Sequence, residues 1–504
     1  MKKVFNFRFF FWLLVVLVIG HFFAVLVCNS QIALYLFLGL SILVLVLATI
    51  LFIKFYDKLK RYLLSCICFI LMFVTAMGLT LIRIGIKQSD NEIKTESYVV
   101  EGTISYINST KSVIYLENVK LNYGEYKLHS YIRVYFSDFD DTCEIGDKFV
   151  TSVKKMKINY VPTLNDKHIS SINIKANSEY KIIKSNRLDA KIRRSVKSKL
   201  KAVTDSDTAE IQYAMLFGDK SYLDSELKEQ YSSVGLSHLL AVSGLHVGFV
   251  IALISKLLDR FMGNKRWIAF GVKSVLILLY LILCNFAISA SRAVLMSMVL
   301  LYANARGKPY DGLSALSFAG SVLLLIDPTQ FYDVGFQLSF MVVFGLFGVA
   351  PILNKWFSKV LPKWLSNGLS VSVSSMICSL PLIAHYFTSV SLLSVVVNLF
   401  VLPYVSFAFT ILFLMIIISF IVPPLSFILV VPSFLFGILN YLVMSLANIS
   451  FSFSDFHIES VGLIVLVCAI VVMSQYSLIK SKQSKAILGL SLSAVFIVTQ
   501  ILQI

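Results

Sequence analysis

Residues 235–248 carry side chains that could do chemistry, because two serines, two histidines and three glycines fall within this one stretch. Ser243 and His246 could supply a nucleophile and a base, but such a pair also needs an orienting third group and an oxyanion site, and the sequence shows neither. His238 and His246 could bind a metal, but metal sites normally take three or four ligands, and no carboxylate or third histidine is near in the sequence. The sequence therefore predicts no catalytic residue, no metal site and no cofactor here.

The apolar residues around this stretch predict a membrane span near 236–255. Polar groups are costly inside a bilayer and usually face a cavity or a partner helix. Ser243-Gly244 predicts a break in the helix, and Gly244-x-x-x-Gly248 predicts close approach of another helix backbone. Such a break would turn polar side chains towards a water-filled path, and the residues assigned to that path here are Ser237, His238, Ser243, Gly244 and His246.

The whole chain has the composition of a membrane protein. Of its 504 residues, 57 % are hydrophobic and only 14 % are charged, whereas soluble domains have about 45–50 % apolar and about 25 % charged residues. Its 40 Phe and 23 Tyr exclude a disordered chain, and seven scattered cysteines exclude a disulfide scaffold. The sequence therefore predicts a polytopic α-helical membrane protein.

Apolar segments long enough to cross a bilayer occur about 13 times along the chain. The predicted spans lie near 9–27, 32–53, 62–82, 236–255, 267–286, 288–304, 313–326, 335–353, 368–384, 404–421, 425–447, 461–479 and 486–503. The apolar segment 390–402 is too short to span and precedes Pro403. We interpret it as a re-entrant half-helix, which a bilayer tolerates only inside protein or beside water.

The distribution of Lys and Arg over the short loops predicts the orientation of the chain. With the N-terminus in the cytoplasm, the cytoplasmic loops carry 19 Lys and Arg, whereas the short loops on the other side carry only Arg292. This orientation places residues 87–234, a long polar insert after the third span, outside the cytoplasm.

The insert predicts a small extracytoplasmic β domain at 87–187. Short segments rich in Val, Ile, Tyr and Thr, separated by turn residues, favour five or more strands, which suits an OB-like barrel. Strands are predicted at 97–107, 113–121, 127–136 and 148–153, with Gly146-Asp147 before the last of them.

The strand at 127–136 separates two kinds of side chain by alternation. The set that suits a core is Ile132, Val134 and Phe136, and the set on the other face is Tyr131, Arg133 and Tyr135. Aromatic and basic side chains on one face are typical of surfaces that bind single-stranded nucleic acid. The alternative is that tyrosine simply favours strands and that an outer face needs polar groups.

Residues 188–203 predict a basic amphipathic helix. Its apolar stripe recurs every four residues from Leu188 to Leu200. Its other faces carry cations, including Lys191, Arg193, Arg194 and Lys197. Such a helix can lie on anionic headgroups or line a path for phosphates, and both readings stay open.

Two shorter helices are predicted between this basic helix and the polar stretch. The first runs over 207–217 and stops at Gly218. For the second, Ser221-x-x-Asp224 predicts a capping box, and the helix ends before Gly235.

Three further polar residues lie in or beside predicted spans and are candidates for the path. Arg292 is placed at the mouth of a span, where it could meet phosphates or pair with Asp327 or Asp333. Gln337 and Asn398 could line a path or form hydrogen bonds between helices.

These patterns divide the chain into five regions. They are a three-span anchor at 1–86, the β domain at 87–187, the basic and connecting helices at 188–234, a core of spans at 235–421 and C-terminal spans at 422–504.

Several motifs together resemble the ComEC-type competence channel family. They are Phe217-Gly-Asp-Lys-Ser-Tyr-Leu223, the stretch 235–247, Ser291-Arg-Ala293, Asp327-Pro328, Gly335-Phe-Gln-Leu-Ser-Phe340, Ser379-Leu-Pro381 and Asn398-Leu399. The resemblance is strong over about 205–420, and the three N-terminal spans with the strand-rich insert also look like that family's N-terminal module.

This resemblance implies a channel of the bacterial inner membrane that admits single-stranded DNA during natural transformation. It implies a DNA receptor outside and an ATP-driven motor on the cytoplasmic side, since the sequence has no Walker A pattern of its own. Many members end in a metallo-β-lactamase-like nuclease domain, whose His-x-His-x-Asp-His cluster this sequence lacks. The resemblance thus implies a variant without that domain and a separate nuclease, and it leaves homo-oligomerisation open.

Two other functions were weighed against a DNA channel. An intramembrane enzyme using Ser243 with His246 or His238 would need the missing third group and oxyanion site. A small-solute transporter would show inverted repeats of broken helices, but the sequence shows one break motif without a second copy.

Overall fold

The computed structural model describes a defined set of residues. They are 98–108, 113–121, 126–127, 131–135, 144–153, 157–158, 168–173, 180–262, 265–387, 389–391, 393–448, 452–454 and 460–475, with isolated positions in 14–20, 78–80 and 488–491. The span predicted at 32–53, and nearly all of those at 9–27, 62–82 and 486–503, lie outside this set. The chain divides into two compact units, residues 1–192 with 317–333, and residues 193–316 with 334–504.

The first unit contains a curled, mainly antiparallel sheet in the order β6-β7-β4-β2-β1-β5-β8, with β3 paired to β2 and one parallel pair, β4 with β7. The strands are β1 (Tyr98–Asn108), β2 (Val113–Leu121), β3 (Tyr126–Lys127), β4 (Tyr131–Tyr135), β5 (Lys148–Val153), β6 (Lys157–Ile158), β7 (His168–Asn173) and β8 (Tyr180–Ile183). The strands predicted at 113–121 and 148–153 are confirmed. For the strand predicted at 127–136, the described residues form β3 and β4, which both pair with β2, and residues 128–130 and 136 lie outside the described residues.

Alternation of apolar residues explains the core of this sheet. Ile132 and Val134 are completely buried, as predicted, and both belong to a cluster that includes Ile104, Leu116 and Phe149. The sheet is half of a barrel, and its closure into an OB-type barrel stays a prediction.

The turn before β5 depends on Gly146 and Asp147. Gly146 has a φ of 96°, a left-handed conformation that favours glycine. The buried Asp147 carboxylate accepts hydrogen bonds from the backbone N–H groups of Glu144 and Ser185, at 3.1 and 2.7 Å. It also pairs with the Lys184 ammonium group at 3.2 Å. One carboxylate therefore ties the start of β5 to the segment that follows β8.

Helices make up most of the described chain after residue 187. They are α1 (Leu188–Lys201), α2 (Ser206–Phe217), α3 (Ser225–Ser233), α4 (Gly244–Met262), α5 (Arg266–Leu283), α6 (Ile288–Arg306), α7 (Gly312–Ile326), α8 (Val334–Gly348), α9 (Ala350–Phe357), α10 (Lys363–Tyr386), α11 (Ser394–Ile421), α12 (Val430–Ala447) and α13 (Ser460–Met473). Short 3₁₀ turns lie at Ser237–Leu240, Pro328–Tyr332 and Pro423–Leu429, and a two-stranded sheet pairs β9 (Ser389–Ser391) with β10 (Ser452–Ser454).

Among the described residues, five helical segments are long and apolar enough to cross a membrane. They are α5, α6, α10, α11 and the segment Pro423–Ala447, and α8 with α9 makes a sixth if this pair, bent by 44°, counts as one span. The helix α7 has 15 residues, which at about 1.5 Å per residue is shorter than a hydrocarbon core of about 30 Å. The chain is thus a helical protein with several segments able to cross a membrane, and the total of about 13 spans stays a prediction.

The half-helix predicted at 390–402 is wrong. The structure instead continues α11 for 28 residues, with Pro403 inside it. Proline removes one backbone hydrogen-bond donor, but apolar helices tolerate this where neighbouring groups satisfy the freed carbonyl. The proline therefore did not mark an end of the helix.

Small residues allow close contacts between the long helices. A Cβ atom on Gly345 of α8 would lie 2.7 Å from the Cys378 sulfur of α10. A Cβ atom on Gly368 of α10 would collide with Leu399 of α11. These glycines bring α8, α10 and α11 together within the second unit.

Candidate functional site

The predicted break in the polar stretch is confirmed. A 3₁₀ turn at Ser237–Leu240 is followed by extended backbone at Ala241, and α4 begins only at Gly244. Gly235, just before this turn, has a φ of 82°, and a Cβ atom there would collide with Ser394 at the start of α11. Both the conformation and the space at position 235 therefore require glycine.

His246 stabilises the start of α4. Its Nδ1 atom accepts a hydrogen bond from the backbone N–H of Ser243, at 3.1 Å. This is one half of a capping box, in which the third residue of a helix reaches back to the residue before the helix. With Nδ1 as the acceptor, the neutral imidazole carries its proton on Nε2, and the ring also interacts with the Ala241 main-chain carbonyl. The structure gives this buried Nε2 atom no hydrogen-bond partner among the described residues.

The Ser243 hydroxyl lies 3.4 Å from the same Nδ1 atom. A base that accepted the hydroxyl proton there would have to release the backbone N–H, because one nitrogen has one lone pair. The His246 ring also packs against Phe409, with 4.6 Å between ring centroids. The serine and histidine are therefore together, but in a capping arrangement rather than one that activates a nucleophile.

Arg292 meets the break from a neighbouring helix. The sequence placed it in a loop at the mouth of a span, and this is wrong, because it lies inside α6 with only 5 % of its surface exposed. A guanidinium nitrogen lies 2.7 Å from where a Gly244 Cβ would be, and another donates a hydrogen bond to the Ser339 main-chain carbonyl in α8. Its Nε atom is buried without a partner among the described residues.

The first turn of α4 therefore combines several features that attract an anion. The N-terminal end of a helix carries a partial positive charge and free N–H groups. Arg292 adds a full charge, and the Arg292 Nε and His246 Nε2 atoms are buried donors with unused capacity. An unpaired buried donor costs free energy, so this arrangement favours a negatively charged or hydrogen-bond-accepting occupant.

The glycine pair that was predicted to admit another helix behaves unequally. Gly244 packs directly against Arg292, whereas a Cβ atom on Gly248 would meet nothing within 4 Å. The predicted close approach is therefore wrong for Gly248. Its partner Gly244 accommodates a side chain rather than a helix backbone.

The remaining predicted path residues are more scattered. Ser237 and His238 lie in the 3₁₀ turn, where the Ser237 carbonyl accepts a hydrogen bond from the Lys220 ammonium group at 3.4 Å. Gln337 lies in α8, two residues before Ser339. Asn398 lies in the first part of α11, and its side-chain oxygen is buried without a partner among the described residues. The structure thus brings together Ser243, Gly244, His246 and Arg292, and His238 lies close enough to His246 for an electrostatic interaction between the two rings.

A buried carboxylate, Asp219, lies in the loop that packs beside the 3₁₀ turn, and the sequence analysis missed it. Burial raises the pKa of Asp219, while hydrogen bonds from Ser221 and the nearby charges of Arg193 and Lys197 act in the opposite direction. The backbone N–H of Ser221 donates to the carboxylate at 3.0 Å, and its hydroxyl donates as well. In the sequence, Asp219 belongs to the motif 217–223, but nothing in that motif indicates that the carboxylate is buried.

These contacts correct two local predictions. Ser221 is not part of a capping box, because the Asp224 side chain caps α3 by accepting from the N–H of Glu226. Arg193 was predicted on a polar outer face of the basic helix, but it is 4 % exposed. The stop of α2 at Gly218 is confirmed, with a φ of 79°.

The other cations of α1 divide between protein contacts and solvent. Lys197 lies 3.1 Å above the Tyr222 ring, and Lys199 donates to the Ser419 carbonyl and the Ser426 hydroxyl, at 2.8 and 2.9 Å. Lys191 is exposed and Arg194 is half-buried. Part of the positive charge of α1 is thus used to hold this helix against its own protein.

The strand register aligns three residues across neighbouring strands, and two of them, Tyr106 and Tyr115, lie on the face of the sheet away from its core. Tyr106 of β1 lies opposite Tyr115 of β2, which lies opposite Arg133 of β4. The two tyrosine rings are 5.3 Å apart, and Tyr106 is 45 % exposed. Tyr131 and Tyr135 flank Arg133 along β4, but the side chains of Tyr131 and Arg133 lie outside the described atoms. The sequence analysis missed Tyr106 and Tyr115, because their proximity depends on strand register.

Comparison with known families gives one assignment for the helical half of the chain. A family model described as Competence protein matches residues 215–482, more than half of the chain. No solved structure matches the chain.

Several curated proteins are similar to part of the chain. ComE operon protein 3 of Bacillus subtilis (strain 168) is 31 % identical over 231 residues, which cover 46 % of this chain and 28 % of that protein. Competence protein ComA of Neisseria gonorrhoeae is 30 % identical over 41 % of this chain and 30 % of its own length. Recombination protein 2 of Haemophilus influenzae is 26 % identical over 210 residues, which cover 38 % of this chain and 26 % of that protein. The similarity thus spans less than a third of each of these three relatives.

Proposed function

This chain belongs to the competence protein family, and we propose that it is a multi-pass channel of the bacterial inner membrane that passes single-stranded DNA into the cytoplasm during natural transformation. The observation that carries the proposal is the buried Arg292 guanidinium packed against Gly244, at a helix break and among helices able to cross a membrane. The names of the relatives, which include competence and recombination, support the same substrate.

A DNA strand needs such a break because lipid cannot accept its charges. A single strand carries one negative charge per nucleotide, spaced by about 3.4 Å along one strand of a duplex. Even one charged side chain at mid-bilayer costs about 2.5–3.5 kcal/mol on insertion scales. A conducting path must therefore be lined by polar groups and hydrogen-bond donors, and it must bind each phosphate weakly enough to release it. In this proposal the path includes Ser237, His238, Ser243, Gly244, His246, Arg292, Gln337 and Asn398.

The sheet domain supplies a first contact with DNA outside the cytoplasm. The row Tyr106, Tyr115 and Arg133 offers two rings for stacking on bases and a cation for the phosphates. Tyr131 and Tyr135 on β4, and the cations Lys191, Arg193, Arg194 and Lys197 of α1, extend this assignment. Arg193 is buried and Lys197 lies over the Tyr222 ring. These two cations therefore attract DNA through the electrostatic potential and not by direct contact.

The proposal also implies partners. The force for transport comes from a separate ATP-driven motor, since the sequence lacks a Walker A pattern. A DNA receptor on the outer side and a nuclease that degrades the other strand complete the pathway. The chain itself is proposed to act without catalysis and without a cofactor.

The contact between Ser243 and His246 favours one alternative, an intramembrane enzyme with Ser243 as its nucleophile. Such a site needs a third group to orient the histidine and donors for an oxyanion. The free Nε2 atom of His246 lacks an acceptor among the described residues. Labelling by a serine-directed probe that is lost in Ser243→Ala would support the enzyme instead of the channel.

The channel is tested by placing a side chain at the break. We expect Gly244→Leu to abolish uptake of fluorescently labelled DNA by cells that rely on this protein, because the new side chain displaces the Arg292 guanidinium. Gly248→Leu is the matched control, since it lies one turn further along α4 and faces open space. Equal DNA uptake by both variants, at matched protein levels in the membrane, would show that the helix break does not line the DNA path.

A further inference from the structure

The corner between α9 and α10 repeats one short pattern three times. A lysine is followed directly by a large apolar residue in Lys355-Trp356, Lys359-Val360 and Lys363-Trp364, with a spacing of four residues each time. We call residues 355–364 the Lys-Trp corner. This pattern is not needed for the proposed path.

The large apolar residues of the Lys-Trp corner are exposed. Trp356, Val360 and Trp364 are 72, 85 and 66 % exposed, and the three lysines are exposed as well. Two tryptophans at that level of exposure are costly in water, since each would bury about 150–250 Å² of largely apolar surface in a contact. We therefore expect another molecule with apolar groups to cover this surface.

The position of the Lys-Trp corner identifies the kind of occupant. It connects the bent pair α8–α9 to α10, and both are apolar enough to cross a membrane. The Ser366 hydroxyl donates to the Asn354 side-chain oxygen at 2.5 Å, which fixes the two helices at the corner. The corner therefore joins the ends of two segments able to cross a membrane, and the ends of such segments are where tryptophan and lysine are enriched in membrane proteins.

The charges of the surrounding sequence are confined to this corner. Between Asp333 and Asp455, the only Lys, Arg, Asp or Glu residues are Lys355, Lys359 and Lys363. Three positive charges without a nearby negative charge complement anionic lipid headgroups.

The same pairing recurs elsewhere at a predicted cytoplasmic boundary. Trp267 follows Arg266 at the start of α5 and is 54 % exposed. Of the four tryptophans in the chain, three thus follow a cation directly. A partner protein would not require a cation followed by tryptophan in two separate loops. A membrane surface contacts every loop on its side of the chain, so it explains the repeated pairing.

We propose that the Lys-Trp corner is a binding site for anionic phospholipid headgroups at the cytoplasmic surface of the membrane. The tryptophan rings lie at headgroup depth, and the three lysines bind the lipid phosphates. The site holds this end of α9 and α10 at a fixed depth.

Tryptophan fluorescence tests the location. In the full chain with Trp12→Phe and Trp267→Phe, the emission comes only from Trp356 and Trp364. After reconstitution in phosphatidylcholine vesicles containing phosphatidylglycerol, brominated lipids should quench this emission, and brominated phosphatidylglycerol should quench it more than brominated phosphatidylcholine. Quenching by aqueous iodide instead, or equal quenching by the two brominated lipids, would overturn the proposal.

Removal of charge tests the role of the lysines. In the triple variant Lys355→Gln, Lys359→Gln, Lys363→Gln, the preference of the Trp356 and Trp364 site for phosphatidylglycerol over phosphatidylcholine should fall about tenfold or more. Each lysine near an anionic surface adds about 1 kcal/mol, and about 1.4 kcal/mol corresponds to tenfold. The matched control is Lys256→Gln, Arg260→Gln, Lys265→Gln, which removes three exposed cations from another predicted cytoplasmic loop and should keep the preference. An equal loss in both variants would show a general charge effect and would contradict a specific site.

Discussion

The helix break and the outer face of the sheet are both assigned to DNA, but they present their groups in opposite environments. At the break, Arg292 and His246 are buried, and two of their nitrogen atoms have no partner among the described residues. On the sheet, Tyr106 is 45 % exposed, and its ring lies 5.3 Å from the Tyr115 ring at a tilt of 60°. The break thus offers a buried charge and buried hydrogen-bond donors, and the sheet offers a partly exposed ring.

This difference separates two tasks. A charge interaction strengthens as the local dielectric constant falls, so a buried guanidinium has a large effect on whether a phosphate can enter. Stacking on an exposed ring depends little on sequence and is reversible, which suits the capture of a strand. The two regions should therefore fail in different ways when they are changed.

The largest effect is expected at Arg292. Arg292→Ala removes the buried guanidinium that packs on the break, so DNA uptake by cells should fall by about a hundredfold, as expected for the loss of about 2–3 kcal/mol of stabilisation by a charge-assisted hydrogen bond. Binding of single-stranded DNA to the purified full chain should change little, because capture depends on the sheet. Uptake is measured with labelled DNA at equal membrane levels of protein.

Arg306→Ala is the control for this prediction. Arg306 lies in the last turn of the same helix, where it is exposed and bonds to Tyr302. Uptake by this variant should stay near the unmodified level. If the two arginine variants lost uptake equally, the burial of Arg292 would have no special role and the contrast between the two regions would fail.

A smaller effect is expected on the sheet. Tyr106→Ala with Tyr115→Ala should weaken binding of an oligo-thymidine strand to the full chain by about tenfold to a hundredfold, since base stacking contributes about 1–3 kcal/mol per ring. Fluorescence anisotropy at two salt concentrations measures the change, and the slope of affinity against salt should stay the same because no charge is removed.

The conservative replacement of the same two residues sharpens the comparison. Tyr106→Phe with Tyr115→Phe keeps both rings and should bind as the unmodified chain does. Weak binding by the phenylalanine variant would assign the role to the hydroxyl groups and would argue against stacking.

Local sequence signals explain which features could be predicted. The end of α2 at Gly218, the break before Gly244 and the burial of Ile132 and Val134 each depend on neighbouring residues or on a short period. Contacts over long separations gave no such signal. Arg292 is far from both Gly244 and Ser339 in sequence, and the Tyr106–Tyr115 pair depends on the register of a hairpin, so these groupings required the structure.

Two wrong predictions have physical reasons of the same kind. Pro403 was taken as a helix boundary, but an apolar helix among other helices tolerates the missing donor. Arg193 was assigned to an outer face by its charge, but the buried Asp219 offers it a partner of opposite sign. In both places the tertiary environment outweighed a preference that holds for isolated segments.

The smallest effect is expected at Asp219, which belongs to neither region but supports the loop beside the break. Burial raises the pKa of Asp219 in the folded chain, so the folded state binds its proton more tightly than the unfolded state does. Stability contributed by this group is therefore present below the unfolded pKa and is lost as the pH rises towards the folded pKa. Asp219→Asn keeps an acceptor for Ser221 but cannot ionise, so its melting temperature relative to the unmodified chain should rise between about pH 4 and about pH 7. A difference that stays constant over this range would mean that Asp219 keeps the same proton affinity in both states, and that Arg193 and Lys197 fully offset its burial.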